Sequence, residues 1–408
     1  MSADSAHPNP EVARRLDHLY TLHRTEIDLR LGASPYLDLL HRLGDPHKKL
    51  HNIVHIAGTN GKGSTLAFLR AMAQADGKTV NIYTSPHLIT FNERICVRGK
   101  IISDDYLVDL YERVHAANAG ASVTFFEFTT AMAFVAFAEN PADVTLLETG
   151  MGGRLDCTNV IDAPIATAIT KISFDHTEFL GDTLEKIAAE KAGIMKPGVP
   201  CVIGAQMDDA AVMPVFQAHA RKVGAPIINA VMPLDYPAPN LTGAHQVENA
   251  AVAMMLARIL RLSDTAKRKG LVNAQWPARM QRVSQNPEIW FDAAHNDSGA
   301  LALAAQLRQW KGEKPIHLVV GLAADKDANA FFTALAGTYD RLTFVDLPQA
   351  RRPQTAENLA KITGLPAATI KTLDELPLNN NGLERIVVAG SLYLYQCLFS
   401  PFLTRHMS

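Results

Sequence analysis

Apolar and polar positions along this chain fall into blocks whose period switches between that of a strand and that of a helix. Ile53, Val54 and Ile56 make a short apolar run, and Leu66, Phe68, Leu69 and Met72 follow it at helical spacing. The same reading predicts strands over 79–84, 144–149, 165–170 and 201–203. It predicts helices over 104–117, 128–137, 183–192 and 249–260, and one or two amphipathic helices over 11–44. Such alternation implies a mostly parallel sheet covered on both faces.

Residues 271–287 break the rhythm with Trp276-Pro277 and Asn286-Pro287, so a domain boundary is expected near 273, giving domains 1–272 and 273–408. A second alternating run follows, with strands over 289–291, 316–320, 342–345 and 386–389 and helices over 300–310, 328–336 and 356–362. The expected fold is α/β: a mostly parallel sheet domain with a P-loop, then a smaller Rossmann-like α/β domain. The second run contains no G-x-G-x-x-G, so it is not expected to hold a dinucleotide.

Composition narrows the class. The 408 residues are 48% hydrophobic and 20% charged, the proportions of a globular protein. A net charge of −2 gives no general pull toward nucleic acid or anionic membrane, so neither is an expected partner. Cys96, Cys157, Cys201 and Cys397 are scattered without a C-x-x-C, which fits reduced thiols in the cytoplasm. The segment from Met1 to Pro10 is polar and reads as no signal peptide, and apolar stretches such as 131–138 fall far short of the ~20 residues that span a bilayer.

The chemistry centres on Gly58-Thr59-Asn60-Gly61-Lys62-Gly63-Ser64-Thr65, between the first strand and a helix that the pattern opens at Ser64. Glycines let backbone N–H groups curl around phosphate oxygens; the helix dipole and a lysine add positive charge. The spacing departs from G-x-x-x-x-G-K-[ST], yet strand, lysine, hydroxyl and helix in register point to a nucleoside triphosphate rather than an ordinary turn. Ser64, Ser85 and Glu148, at or beside strand ends, offer the hard oxygens Mg²⁺ takes. Glu148 could instead pair with Arg154. Asp175 and His176 follow another strand.

Asp182 and Glu185 form a capping-box pattern, and Gly193 suits the position after the helix. Between them Lys191 shares the apolar face of Leu184, Ile187 and Ala188. An amine there tends to lose its proton and can take up carbon dioxide as a carbamate, an anionic metal ligand; the alternative is a lysine reaching to water. Asp292, His295 and Asn296 follow a strand where ribose or phosphate contacts suit, although Asp292 could simply cap a helix. His47, His51 and His55 are spaced by four but lead into a strand, where they cannot share one ion, so they read as structural.

With these motifs side by side, the chain resembles the folylpolyglutamate synthase and dihydrofolate synthase family of the Mur ligase superfamily. The resemblance runs from about Leu37 to Leu398 through HIAGTNGKGS (55–64), TSPHL (84–88), FNERI (91–95), ETGMGGRLDCTN (148–159), DHTEFLG (175–181), EKAGIMKPG (190–198), WPARMQ (276–281) and DAAHN (292–296). It implies an ATP-dependent ligase that joins L-glutamate to a pteroate or folate carboxylate through an acyl phosphate. By match, Gly61, Lys62 and Ser64 would cradle phosphates, Ser85 and Glu148 would hold one Mg²⁺, and His176 with a carbamylated Lys191 a second. Asn249, Arg279, Asp292 and His295 would contact ATP from the side facing the second domain. Thr124, Phe126 and Asp156 would receive the pterin: Phe126 can stack on it and Asp156 can accept its N–H groups. Phe125, Phe126 and Phe128 also suit a plain core. The family's usual glycine is replaced by Ala278 and by Ala293, and a common proline by Asp297.

The segment 124–129 favours a bifunctional enzyme that takes both dihydropteroate and reduced folates; a monofunctional folylpolyglutamate synthase is the alternative. A Mur-type cell-wall ligase is disfavoured because only 57 residues precede Gly58, where that class carries a further domain of ~100 residues. A P-loop switch or transport ATPase would lack the Ser85, Glu148, His176 and Lys191 set. The expected partners are small molecules, with the chain a monomer.

Overall fold

Strand β1 (Ile53–Ala57) is buried along its whole length, as its apolar residues require of a central strand. The computed structural model describes residues 7–22, 35–348, 350, 352–376 and 383–397. Helices α1 (Pro10–Thr21) and α2 (Pro35–Arg42) precede β1 and are the expected amphipathic pair; the part of 11–44 at 23–34 lies outside the described residues. After β1 come α3 (Lys62–Ala75), β2 (Val80–Tyr83), β3 (Ile95–Val97), β4 (Lys100–Ile101), α4 (Asp104–Asn118), α5 (Phe125–Glu139) and β5 (Val144–Glu148). Then follow β6 (Ala166–Ile169), α6 (Thr177–Leu180), α7 (Leu184–Ala192), β7 (Cys201–Ile203), α8 (Asp209–Val223), β8 (Ile227–Asn229), α9 (Ala244–Ile259) and α10 (Asp264–Asn273).

The sheet order is β4-β3-β2-β5-β1-β6-β7-β8. It is parallel from β2 to β8, with β3 and β4 antiparallel at one edge. The pattern did not predict that edge pair, nor α8, which carries Pro214 inside it, nor β8 or α10. Helix α5 begins three residues before its expected start. Thr124 and Glu127 make a reciprocal capping box there, each satisfying an N–H at the helix end.

Helix α5 is apolar on every side because it touches α1, α2 and α4 as well as strands β2 and β3. Phe128, Phe134 and Phe137 are fully buried in that core with Leu16, Leu39 and Leu110. Each such ring contributes roughly 1.5–3 kcal/mol by leaving water.

The second sheet is built from β9 (Gln281–Gln285), β10 (Glu288–Asp292), β11 (Ile316–Val320), β12 (Arg341–Val345), β13 (Ala368–Ile370) and β14 (Arg385–Ala389). Helices α11 (Asp297–Trp310), α12 (Ala328–Leu335), α13 (Ala356–Thr363) and α14 (Tyr393–Cys397) accompany it. Its order is β13-β12-β11-β14-β10-β9, parallel except for β9 against β10. The stretch read as a break in rhythm therefore contains the strand β9, whose Gln-Arg-Val-Ser-Gln offers one apolar residue and so no visible alternation. Phe291, Leu303, Leu318, Phe331, Phe344 and Val387 fill this unit's interior.

By packing, the described residues up to 240 with 247–275 form one unit, and 241–246 with those from 276 onward form the other. Among the described residues no helix is long and apolar enough to cross a membrane.

Candidate active site

Strand β1 lies between β5 and β6, with Ile56 opposite Glu148 and Ala57 opposite Ile169. That register brings the loop after β1 and the end of β5 together at the carboxyl edge of the sheet, where open parallel sheets bind ligands. Two glycines make the loop possible. Gly58 has φ +149° and a Cβ added there would lie 1.8 Å from Thr170 Oγ1; Gly61 has φ +94° and its Cβ would lie 2.2 Å from Asn249 Oδ1. The helix opens earlier than the pattern implied: Gly61 is its N-cap and Lys62 its first residue, while Ser64 and Thr65 are buried in the first turn beside Gly63. Thr59 and Asn60 donate their N–H groups to Lys171 O (2.9 and 3.3 Å), and Thr59 Oγ1 donates to Ser173 O (3.1 Å). Thr65 Oγ1 donates to Asn249 O (3.4 Å), so Asn249 meets the loop through both side chain and backbone.

Lys62 and Lys191 converge on this loop. Lys62 Nζ donates to Gly58 O (2.9 Å) and Thr59 O (3.3 Å), and it lies 3.8 Å from Glu148 Oε1. Lys191 Nζ donates to the same Gly58 O (3.0 Å). Lys191 is only 4% exposed, so it does not reach to water. Burial, with the Lys62 charge adding to it, pulls its ammonium down to about 7, against the opposing pull of Asp175 and Asp156. Thr183, not Asp182, caps α7, its hydroxyl accepting from Lys186 N, while Asp182 pairs with Lys186. Gly193 keeps right-handed helical angles instead of the left-handed ones expected after a helix.

Glu148 is 5% exposed and accepts a hydrogen bond from Ser85 N (3.3 Å) through Oε2. It is not the partner of Arg154, which pairs with Glu190. A buried carboxylate beside a serine, at the mouth of a phosphate loop, fits a hard divalent cation. His176 has φ +51° at the start of the short α6, and its N–H bonds to Asp175 Oδ1 (3.0 Å). Among the described residues no three His, Cys, Asp or Glu side chains cluster as a metal site. His55 is fully buried and its Nε2 bonds to Thr158 Oγ1 (2.7 Å), and His51 is exposed in the turn before β1.

The three residues expected at the pterin have different surroundings. The Thr124 hydroxyl accepts from Glu127 N as the cap of α5. The Asp156 carboxylate is buried and already accepts from Gly150 N (2.8 Å), Met151 N (2.9 Å), Thr158 N (3.0 Å) and the Thr158 hydroxyl. A direct hydrogen bond from a ligand to Asp156 therefore requires one of these to open. Phe126 is 36% exposed, while Phe128 is fully buried, so the aromatic segment divides between surface and core. The Phe126 ring packs on Gly150, where an added Cβ would come within 2.7 Å of it, two residues beyond Glu148.

In the second unit, the buried Asp292 carboxylate accepts from Met280 N and Ala294 N (both 2.8 Å), and Asn296 rather than Asp292 caps α11. Arg279 Nη1 donates to Ala278 O (3.0 Å), and His295 Nδ1 bonds to Ala293 O (3.0 Å). Ala278 has φ +61°, a conformation that suits a glycine and costs an alanine about 1 kcal/mol. The sequence reading assigned no role to Arg94 of FNERI or to Lys171, although the carbonyl of Lys171 holds the phosphate loop.

Residues 56–230 match the Mur ligase middle domain, and residues 278–391 match the Mur ligase glutamate ligase domain. Fold, phosphate loop and strand-end carboxylate thus define a ligase of the Mur type. The chain is 35% identical over 412 residues to the dihydrofolate synthase/folylpolyglutamate synthase of Bacillus subtilis, covering 90% of this chain and 94% of that one. Among solved structures, E. coli FolC in complex with DHPP and ADP superposes with a TM-score of 0.88 at 28% identity, over 98% of this chain and 99% of that one. The bifunctional enzyme of Yersinia pestis complexed with AMPPNP and Mn ion gives 0.87 at 30% identity, over 97% and 98%. The chain belongs to the dihydrofolate synthase/folylpolyglutamate synthase family.

Proposed function

We propose that this chain adds L-glutamate both to dihydropteroate and to reduced folates. The observation that carries the reading is the convergence of Lys62, Lys191 and Glu148 on the loop that begins at Gly58. The enzyme is an ATP-dependent, ADP-forming carboxylate–amine ligase. An oxygen of the acceptor carboxylate takes the γ-phosphoryl group, releasing ADP and leaving an acyl phosphate. The amine of glutamate then attacks the acyl carbon, and collapse of the tetrahedral adduct expels phosphate and leaves the amide.

Lys62 would meet the β/γ-phosphates as a point charge, and the first N–H groups of α3, which have no partner inside a helix, would meet their oxygens. Ser85 and Glu148 would hold one Mg²⁺, and His176 with a carbamylated Lys191 a second; bound ions neutralise phosphate charge that develops in transfer. A neutral amine is what reacts with carbon dioxide, and burial of Lys191 favours that form. ATP binding falls to residues 1–272, with Asn249 beside the loop; Arg279, Asp292 and His295 are the candidates for nucleotide contact in the ligase domain, 273–408. Phe126 would stack on the pterin, and Thr124 and Asp156 would shape the pocket. The reading takes the enzyme as a cytoplasmic monomer that works on small molecules.

The test is ADP release by the purified protein with L-glutamate and either dihydropteroate or tetrahydrofolate. Glutamate-dependent release with both is expected. Release with tetrahydrofolate alone would make the enzyme a monofunctional folylpolyglutamate synthase, and release without glutamate would remove it from the ligases.

A further inference from the structure

Arg94 is a buried charge that the reaction above leaves unused. It ends the short 3-10 turn Phe91–Arg94 before β3, and 4% of its surface is exposed. Its backbone O accepts from Thr84 N (3.1 Å), which ties it to the strand end that leads into Ser85. The guanidinium carbon lies 5.3 Å from the ring centres of Phe91 and Phe125 and 5.9 Å from that of Phe126. Nε donates to His87 Nδ1 (3.0 Å), and Nη1 has no hydrogen-bond partner. Among the described residues no carboxylate forms an ion pair with it. His87 does not offset the charge: its Nδ1 accepts from the guanidinium and brings no negative charge.

A guanidinium cannot shed its proton, so it carries its charge into this aromatic setting. Taking a cation from water without a counter-charge is costly, and an N–H left without an acceptor adds to that cost. The three rings return part of this through cation–π attraction. If the position served only to fill space, an apolar side chain of similar volume would be the more stable choice. A retained, unpaired donor points to a partner that arrives with a ligand. Its neighbour Phe126 says which ligand, for it is the partly exposed ring of the same group and packs on Gly150, two residues beyond Glu148.

We propose that Arg94 recognises the acceptor substrate, Nη1 donating to an oxygen carried by one of its two conjugated ring systems. That oxygen is the ring carbonyl of the pterin or the carboxylate of the benzoate arm. Both are planar acceptors that a guanidinium meets in the plane of its fork while the rings of the pocket stack on the ligand's faces. The inference rests on the folate-ligase reading and adds a specificity residue to it.

The experiment compares wild type with Arg94→Met and Arg94→Gln, by equilibrium binding of dihydropteroate, by KM for ATP and by thermal unfolding. Arg94→Met should weaken dihydropteroate binding roughly 30-fold, the loss expected for a hydrogen bond from a charged donor. KM for ATP should stay within about twofold, and Tm should hold or rise, because an uncompensated buried charge is gone. Competition by a dihydropterin lacking the benzoate arm, and separately by p-aminobenzoate, assigns the oxygen: the competitor weakened in the variant carries it. Unchanged dihydropteroate binding with a lowered Tm would make Arg94 a packing residue and overturn the proposal, as would failure of both variants to fold. A wild-type enzyme without glutamate-dependent ADP release would instead overturn the folate-ligase reading itself.

Discussion

Buried charge is handled in opposite ways at two places in this protein. At the start of strands β10 and β14 in the second unit, Glu288 accepts from Arg385 Nε (2.7 Å), Lys314 Nζ (3.0 Å) and Trp290 Nε1 (2.9 Å). Arg385 also donates to Glu313 (3.0 Å) and lies over the Trp310 ring at 4.3 Å. Burial works against the Glu288 anion, but those donors outweigh it and hold its carboxyl down at about 2. At the carboxyl ends of β1 and β5 in the first unit, two lysine amines share one carbonyl oxygen, and the Glu148 carboxylate lies 3.8 Å from Lys62. The first arrangement satisfies opposite charges and serves stability. The second crowds like charges, which costs stability and suits the polyphosphate and metal proposed to bind there. Perturbed groups of this second kind are what mark a site for chemistry.

The largest break in the comparison should come from Lys62→Ala. Turnover measured as ADP release should fall on the order of 10³-fold. Tm should hold or rise, because Lys191 loses its like-charged neighbour. A folded variant with near-normal turnover would remove Lys62 from the phosphate site.

Lys191→Ala should cost on the order of 10²-fold in turnover, with partial return on adding formate or acetate as a substitute carboxylate. Wild-type protein equilibrated with ¹³C-labelled carbon dioxide should show a carbamate resonance that the variant lacks. Absence of that resonance in active wild-type enzyme would leave Lys191 as an amine that only braces the loop.

Glu288→Ala tests the other side and should act on stability alone. Removing the carboxylate takes from the buried Arg385 one of its two acid partners, while the Lys314 amine still reaches water, at a cost of about 1–3 kcal/mol in urea unfolding, with turnover per folded molecule unchanged. The sign of the pH effect follows from the depressed carboxyl. The wild-type contribution is complete above the ordinary value of 4.5 and is lost as pH falls toward about 2. The wild-type advantage over the variant should therefore shrink between pH 5 and 2. An advantage that does not change over that range would show that Glu288 is not held as an anion.

Much of the site was legible because its chemistry lies in short runs. Gly58 to Thr65 declares a phosphate loop by residue type and spacing, and Glu148 declares itself by ending an apolar strand. Lys191 was readable as an amine on an apolar face, but local pattern could not separate burial from reaching to water. Asp156 was read as a ligand acceptor, while four internal donors already occupy its oxygens. The strand β9 escaped because an edge strand need not alternate, and α8 because Pro214 interrupts a helical pattern.

The sequence by itself determined most of the buried strands and helices, the glycine-rich loop after the first strand and the family to which the chain belongs. These depend on period, turn chemistry and short motifs, which act over a few residues. Tertiary structure decided who meets whom. Lys191 reaches Gly58 across 133 positions of sequence, Glu148 faces Lys62 rather than Arg154, and Arg94 is enclosed by three rings without a counter-charge. Strand order and register set those meetings, and burial then fixes what each charge costs, so neither can be read from local pattern alone.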